Sequence, residues 1–136
     1  MPIIAIGREL KKIYPQNDLQ LHYIGPFDES GLFLGESFIL HKIVAGKIRR
    51  YFSLLNIVDI LFKIPVGFLQ SFFILIFFRP KVLIGKGGSG SFVVCLAAKY
   101  LKIPVFIHES DIVPGLSNQK VSAWAKKIFI SFENTE

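Results

Sequence analysis

The stretch Lys81-Val82-Leu83-Ile84-Gly85-Lys86-Gly87-Gly88-Ser89-Gly90-Ser91 decides how this chain is read. An apolar β-type run enters a glycine cluster, and a helical pattern leaves it. That order predicts a strand, a tight turn and a helix N-terminus. Glycine admits positive φ and lets the backbone come close to a ligand. The first N–H groups of a helix have no intrahelical acceptor, so such a turn suits an anion, above all a phosphate.

The alternation continues outward from this stretch. Val105-Phe106-Ile107 and Ile128-Phe129-Ile130 predict two more strands, with helices over 91–101 and about 117–125 between them. Upstream, Ile3, Ile6, Leu10 and Ile13 recur at helical spacing and predict an amphipathic opening helix. Residues 19–24 and 38–43 predict short strands, and 27–36 a loop or short helix. Ser53 is placed to cap a helix running to about Phe78 and divided or kinked at Pro65. Its expected buried face carries Leu54, Ile57, Leu61, Leu69, Phe72 and Ile76. Continuous apolar strands alternating with helices predict an α/β fold, a doubly wound parallel sheet covered on both faces. The first strand of such a sheet usually lies in its middle, and its exit turn helps form the ligand crevice. Here the first expected element is a helix, and no helix is expected after the last strand. The expectation is therefore an incomplete domain over 1–136. Its strands near Leu19 and Val82 must pair directly or leave open edges that invite aggregation.

A chain of 136 residues is one domain or part of one. With 51% hydrophobic and 19% charged residues, disorder is excluded. The net charge of +6 is uneven: between 37 and 107, ten Lys or Arg stand against one acid, Asp59. Such a segment predicts an anionic partner, either lipid head groups or a nucleotide. Nucleic acid is disfavoured, because the cations are scattered among Phe, Ile and Leu and no recognition motif is present. The uncharged run 64–78 is shorter than the roughly 20 residues needed to cross a bilayer. Lys47, Arg49 and Arg50 precede it, and Arg79 and Lys81 follow it. That pattern predicts a protein lying on an anionic membrane surface with Phe72 and Phe73 towards it. The plainer alternative makes these phenylalanines core residues. The single Cys95 excludes a disulfide framework and a Cys metal site, and reads as a core thiol. No metal-ligand cluster is legible. The N-terminus lacks the basic region of a secretory signal.

Gly85, Gly87 and Gly90 satisfy G-x-G-x-x-G, and Glu109 lies about twenty residues beyond the last of them, which in outline is the dinucleotide fingerprint of an oxidoreductase. The plainer reading is a tight turn with close helix packing. No Lys-Ser or Lys-Thr follows the last glycine, so a Walker A loop is excluded. A second constellation is His108-Glu109-Ser110-Asp111-Ile112-Val113-Pro114-Gly115-Leu116-Ser117-Asn118, at the carboxyl end of a strand. Open α/β sheets place ligands there. A carboxylate can bind a sugar hydroxyl or take its proton, and an imidazole can donate or accept. The plainer reading has Asp111 and Ser117 as caps and His108 bonded to a neighbouring loop.

Gly87-Gly88-x-x-Ser91, Ala97-Ala98, Ile103-Pro104-Val105, His108-Glu109, Val113-Pro114-Gly115-Leu116-x-Asn118 and Ala125-Lys126 together resemble the N-terminal domain of MurG-type glycosyltransferases. Gly46-Lys47-x-Arg49-Arg50 and Pro65-Val66-Gly67-Phe68 fit the same family. The resemblance covers essentially the whole chain. It implies the N-terminal Rossmann-like domain of a GT-B enzyme, peripheral on the cytoplasmic face of the cell membrane. The implied reaction moves GlcNAc from UDP-GlcNAc to an undecaprenyl-diphosphate-linked muramoyl-pentapeptide, lipid I, giving lipid II for peptidoglycan. By resemblance, Gly87, Gly88, Ser89, Gly90 and Ser91 form a glycine-rich loop suited to the acceptor diphosphate. His108, Glu109 and Asn118 line the cleft, and Glu109 contacts or activates the attacking hydroxyl. No cofactor is implied.

The departures from the family pattern are specific. A first glycine loop, Gly-Gly-His followed by Pro, would lie just before Pro2, and only the proline matches. Ser89 stands where the family often has Tyr. Residues 1–136 include no counterpart of the C-terminal donor domain. The expectation is an acceptor half, inactive alone, that meets UDP-GlcNAc through a C-terminal domain or a separate chain. The alternative within the resemblance is a non-enzymatic, membrane-docked subunit of a split GlcNAc transferase.

Overall fold

A computed structural model describes residues 2–14, 18–26, 33–46, 57 and 59–133. The chain opens in helix α1 (Pro2–Ile13) and continues through strands β1 (His22–Gly25) and β2 (Ile39–Lys42). A π-helical turn, Asp59–Lys63, runs straight into α2 (Ile64–Phe78). Then follow β3 (Leu83–Gly85), α3 (Ser89–Tyr100), β4 (Val105–Glu109), α4 (Leu116–Ser122) and β5 (Lys127–Ile130). All observed strand pairs are parallel. The α/β alternation expected from 82 to 130 is therefore present, with boundaries moved by one or two residues. The strands form two sheets, β1-β2 and β3-β4-β5. Of the two outcomes expected near Leu19 and Val82, the strands take the open one: β1 and β3 do not pair.

The core is built around α3. Val93, Val94, Cys95, Ala97 and Ala98 are buried against Val105 and Ile107 of β4, Val121 of α4 and Leu75 of α2. Two alanines in sequence let the helix approach the sheet closely. Each buried Val contributes about 1.5–3 kcal/mol. Cys95 is a core thiol, as its sequence context suggests. Burial pushes its pKa up to about 11, against a smaller opposing effect of the Ser91 hydroxyl.

The buried face of α2 differs from expectation. Leu61, Leu69 and Ile76, expected inside, are exposed, Leu69 at 52%. The buried positions are the small Gly67 and Ser71 together with Leu75. A Cβ on Gly67 would run into the Val44 carbonyl, and Ser71 donates to the Gly67 carbonyl at 2.7 Å. Small residues let this helix press its backbone onto the neighbouring chain, and that contact sets its rotation. Phe68 and Phe72 pack on the core from the flank of this face. Phe72 is thus not the outward residue expected, whereas Phe73 is 66% exposed. The helical segment Asp59–Phe78 is also longer than the run of 64–78 suggested: 20 residues with mean hydropathy 2.1, enough by length and composition to cross a membrane. Its inner face is nevertheless packed on α3. The Ser53 cap, Leu54, and the cations Lys47, Arg49 and Arg50 lie outside the described residues.

In α1 the buried residues are Ile4 and Gly7, the latter against Phe38 and Leu21. The expected inner stripe of Ile3, Ile6 and Leu10 instead lines a cavity of about 740 Å³ between β1 and β3. Ile13 is exposed.

Candidate acceptor site at the strand ends

Two turns meet at the carboxyl ends of β3 and β4. The first joins β3 to α3 through Gly87 (φ 96) and Gly88 (φ 82), conformations that L side chains rarely adopt. Gly88 is the N-cap, so α3 begins at Ser89 rather than at the expected Ser91. The first bond of the helical ladder is donated by Phe92 N–H to the Gly88 carbonyl at 3.3 Å. The amides of Ser89, Gly90 and Ser91 precede that ladder, which leaves them for an outside acceptor. The turn is braced from within, because Gly87 N–H donates to Ser91 Oγ at 3.3 Å. At Gly88 the space is open: an added Cβ would meet nothing within 4 Å. The whole turn, including the half-buried Lys86, opens onto the 740 Å³ cavity.

The second turn is organised by one carboxylate. Glu109, only 5% exposed, accepts from Asp111 N–H at 3.0 Å through Oε1. Its Oε2 accepts from Gly115 N–H at 3.2 Å and from the Asn118 side-chain amide at 2.8 Å. Burial pushes this carboxyl upwards. The bonds from Asn118, Asp111, Gly115 and Ser110 outweigh burial and leave it below its ordinary value, hence ionised at neutral pH. The Asn118 amide also donates to the His108 carbonyl at 3.3 Å. One anion thus ties the end of β4 to the start of α4.

The two turns touch through Asn118. A Cβ on Gly87 would lie 2.9 Å from Asn118 Nδ2 and 3.1 Å from its Oδ1. Asn118 is 4% exposed, and its Oδ1 finds no hydrogen-bond partner among the described residues. The same holds for the buried Nδ1 of His108. His108 Nε2 lies 3.5 Å from Ser131 Oγ. The structure therefore brings Gly87, Asn118, Glu109 and the His108 backbone into one cluster, with Gly88 to Ser91 on its rim.

Glu109, expected to contact a hydroxyl, is bonded within the protein. A carboxylate has about four acceptor positions. Here its oxygens accept from Asp111, Gly115 and Asn118, so the carboxylate ties the turn to the start of α4. The same geometry disfavours the dinucleotide reading, in which this carboxylate must be open to a ribose. Lys86 also lines the cavity beside the turn, a position the sequence does not single out. Its only signal was a cation inside the glycine run. Among the described residues no group of three His, Cys, Asp or Glu is placed to hold a metal ion.

Residues 1–130 match the Glycosyltransferase family 28 N-terminal domain. Three curated relatives carry the name UDP-N-acetylglucosamine–N-acetylmuramyl-(pentapeptide) pyrophosphoryl-undecaprenol N-acetylglucosamine transferase. The protein of Treponema denticola is 48% identical over 93 residues, covering 68% of this chain and 24% of its own length. That of Streptococcus mutans is 42% identical over 123 residues, covering 86% and 33%. That of Streptococcus pneumoniae is 42% identical over 136 residues, covering 96% and 38%. The crystal structure of Acinetobacter baumannii MurG superposes on the whole chain and on 39% of its own, with a TM-score of 0.78 at 24% identity, and so shares the fold. The chain spans between a quarter and two fifths of the relatives it matches, and it belongs to glycosyltransferase family 28, whose N-terminal domain it matches.

Proposed function

We propose that this chain is the acceptor-binding part of a GlcNAc transferase that converts lipid I to lipid II. The observation that carries the reading is the turn at Gly88. Three helix-end amides and a half-buried Lys86 surround open space beside the Asn118–Glu109 cluster. A diphosphate is the group this turn suits: its oxygens accept from N–H donors and its charge is favoured at a helix N-terminus. The names of the curated relatives, which specify a pyrophosphoryl-undecaprenol acceptor, support that choice.

In this reading Glu109 does not take the proton of the attacking hydroxyl. It positions Asn118 and the loop 109–115, and Asn118 Oδ1 and His108 Nδ1 are left without partners among the described residues. The donor half of the reaction, from UDP-GlcNAc, lies outside residues 1–136.

The outer face of α2 supports a location on a membrane surface. Phe62, Val66, Leu69, Phe73 and Phe77 recur every three or four residues on one exposed stripe. The exposed cations Arg79 and Lys81 follow it. An apolar stripe flanked by cations suits an anionic leaflet. The opposite face of the helix is packed on α3, which favours lying on the membrane over crossing it.

The test is binding of labelled lipid I to the full chain on phosphatidylglycerol-containing vesicles. Saturable binding that competes with undecaprenyl diphosphate is expected, with no release of UDP from UDP-GlcNAc by this chain alone. Competition by the free muramoyl-pentapeptide but not by the diphosphate would overturn the reading.

A further inference from the structure

Helix α2 carries only two polar side chains, Gln70 and Ser71. Ser71 donates to its own helix, at the Gly67 carbonyl. Gln70 reaches outside it: its Oε1 accepts from the Val44 N–H at 2.8 Å. The bond falls where the β1–β2 ladder stops. Ile43 N–H still donates to the Gly25 carbonyl at 2.9 Å, and Val44 is the next residue. An amide on a helix that is otherwise apolar serves neither packing nor a membrane surface as well as a leucine would. What Gln70 does is hold the exit of β2.

That exit, Val44-Ala45-Gly46, runs between α2 and the first turn of α3. Val44 and Gly46 are set against α2. A Cβ on Gly67 would run into the Val44 carbonyl, and one on Gly46 would stand 2.9 Å from the Asp59 carbonyl oxygen and 3.1 Å from Lys63 Cβ. Ala45 is set against α3. A Cβ on Gly90 would stand 3.6 Å from Ala45 Cβ and 2.9 Å from Pro26 Cδ. Gly46, Gly67 and Gly90 are all buried, so on both sides of the segment backbone meets its neighbours with no side chain between to absorb a shift. Displacing Val44 therefore displaces Ala45, and with it one of the two residues that lie over Gly90. Gly90 belongs to the turn whose amides look onto the open space at Gly88.

We propose that Gln70 is a positioning residue for the diphosphate turn: it pins Val44 and, through Ala45, fixes Gly90 and the amides on either side of it. This role rests on the assignment of the diphosphate to that turn. Gln70 itself touches no ligand. Its effect is to make α2 and the glycine turn one rigid unit, so that the helix bearing the exposed stripe of Phe73 and Phe77 holds the turn in a set place. A lipid-linked acceptor needs that relation, because its tail and its diphosphate meet the two parts at once. A turn misplaced by a fraction of an ångström presents its N–H groups off the line of the phosphate oxygens, and such bonds weaken steeply with angle.

The test compares Gln70→Leu, Gln70→Glu and Ala45→Gly in the full chain, by amide NMR in detergent micelles with a short-chain polyprenyl diphosphate as probe. Without ligand, Gln70→Leu should speed exchange of the Val44 amide at least tenfold and shift the Gly90 and Ser91 resonances. With ligand, its Kd should rise at least fivefold. Gln70→Glu keeps an acceptor oxygen at the same reach and should restore both exchange and Kd to within about twofold of the parent. Ala45→Gly should leave Val44 protected but shift Gly90 and weaken the diphosphate. Parental Gly90 shifts and Kd in Gln70→Leu, or equal losses in the Leu and Glu variants, would overturn the role of Gln70. Should Gln70→Leu fail to fold, parental Gly90 shifts and Kd in Ala45→Gly would overturn it instead. A parent chain that binds no diphosphate would defeat the site assignment, whereas the link from Gln70 to Gly90 is read from the ligand-free spectra.

Discussion

The side-chain amide of Asn118 donates to Glu109 Oε2 at 2.8 Å and lies directly beneath the Cα of Gly87. One residue of α4 therefore sets the distance between the glycine turn and the β4 loop.

Gly87→Ala tests the juxtaposition. The added methyl would stand 2.9 Å from Asn118 Nδ2 at φ 96. The expected loss is about 1–3 kcal/mol of stability, the usual cost of such a backbone position, together with loss of lipid I binding. Urea denaturation and the vesicle assay measure the two. Gly88→Ala, in open space but also at positive φ, should cost stability without displacing Asn118. A Gly87→Ala protein as stable as the parent would refute the contact.

The Glu109 carboxylate gives a stability slope in acid. Its folded pKa is depressed from an ordinary 4.5, because hydrogen bonds led by Asn118 outweigh burial. The unfolded state then binds more protons as pH falls, so the contribution is whole above pH 4.5 and is lost as pH drops through the lower folded value. Glu109→Gln should cost about 1–3 kcal/mol at neutral pH, since an amide nitrogen replaces one acceptor. It should also flatten the acid slope. Denaturation midpoints from pH 3 to pH 7 check both.

A second slope should appear nearer neutrality. His22 Nδ1 and His41 Nε2 are 2.9 Å apart across β1 and β2, with Phe78 against both rings at 4.6 Å. Burial lowers both pKa values from 6.5, and the neighbouring His22 lowers that of His41 further. The folded state resists protonation, so stability is whole above pH 6.5 and falls as pH drops through 6.5 towards the folded values. His41→Asn should remove the His41 share of this slope, leave the share that burial gives His22, and leave the Glu109 slope intact. NMR titration of the two imidazoles gives the direct check: a normal pKa at both would contradict the prediction.

Phe73→Asp and Phe77→Asp test the outer stripe of α2. These side chains are 66% and 82% exposed, so stability should change by no more than about 0.5 kcal/mol. Each buried Phe is worth about 1.5–3 kcal/mol. Flotation with anionic vesicles should therefore weaken by about tenfold or more per substitution. Phe72→Asp, which faces the core, should instead unfold the chain. Unchanged flotation of the double variant would remove the membrane role from this face.

The alternation from 82 to 130 was legible because each strand is a short apolar run bounded by Gly, Pro or charged residues. The boundary at α3 slipped by two residues because Gly88, in its positive-φ conformation, caps the helix earlier than Ser91 suggested. The rotation of α2 was not legible. Its sequence is apolar all round, so hydropathy carries no contrast, and the decision falls to the small Gly67 and Ser71. In the candidate site, the composition of 108–118 singled out the run whose Glu109 and Asn118 the fold sets beside the glycine turn. The roles inside it did not follow, since nothing in a row of residues tells that Glu109 is consumed by Asp111, Gly115 and Asn118. Strand pairing was equally hidden: the pattern gives strands, and only the fold shows that β1 and β3 stand apart.

The central claim is that amides of the turn after β3 hold the acceptor diphosphate. Amide NMR of the chain in detergent micelles, titrated with a short-chain polyprenyl diphosphate and with the matching prenyl alcohol, tests it most directly. The account predicts saturable shifts at Gly88, Ser89, Gly90 and Ser91 with the diphosphate alone. Identical responses to diphosphate and alcohol, or shifts confined to α2, would contradict it.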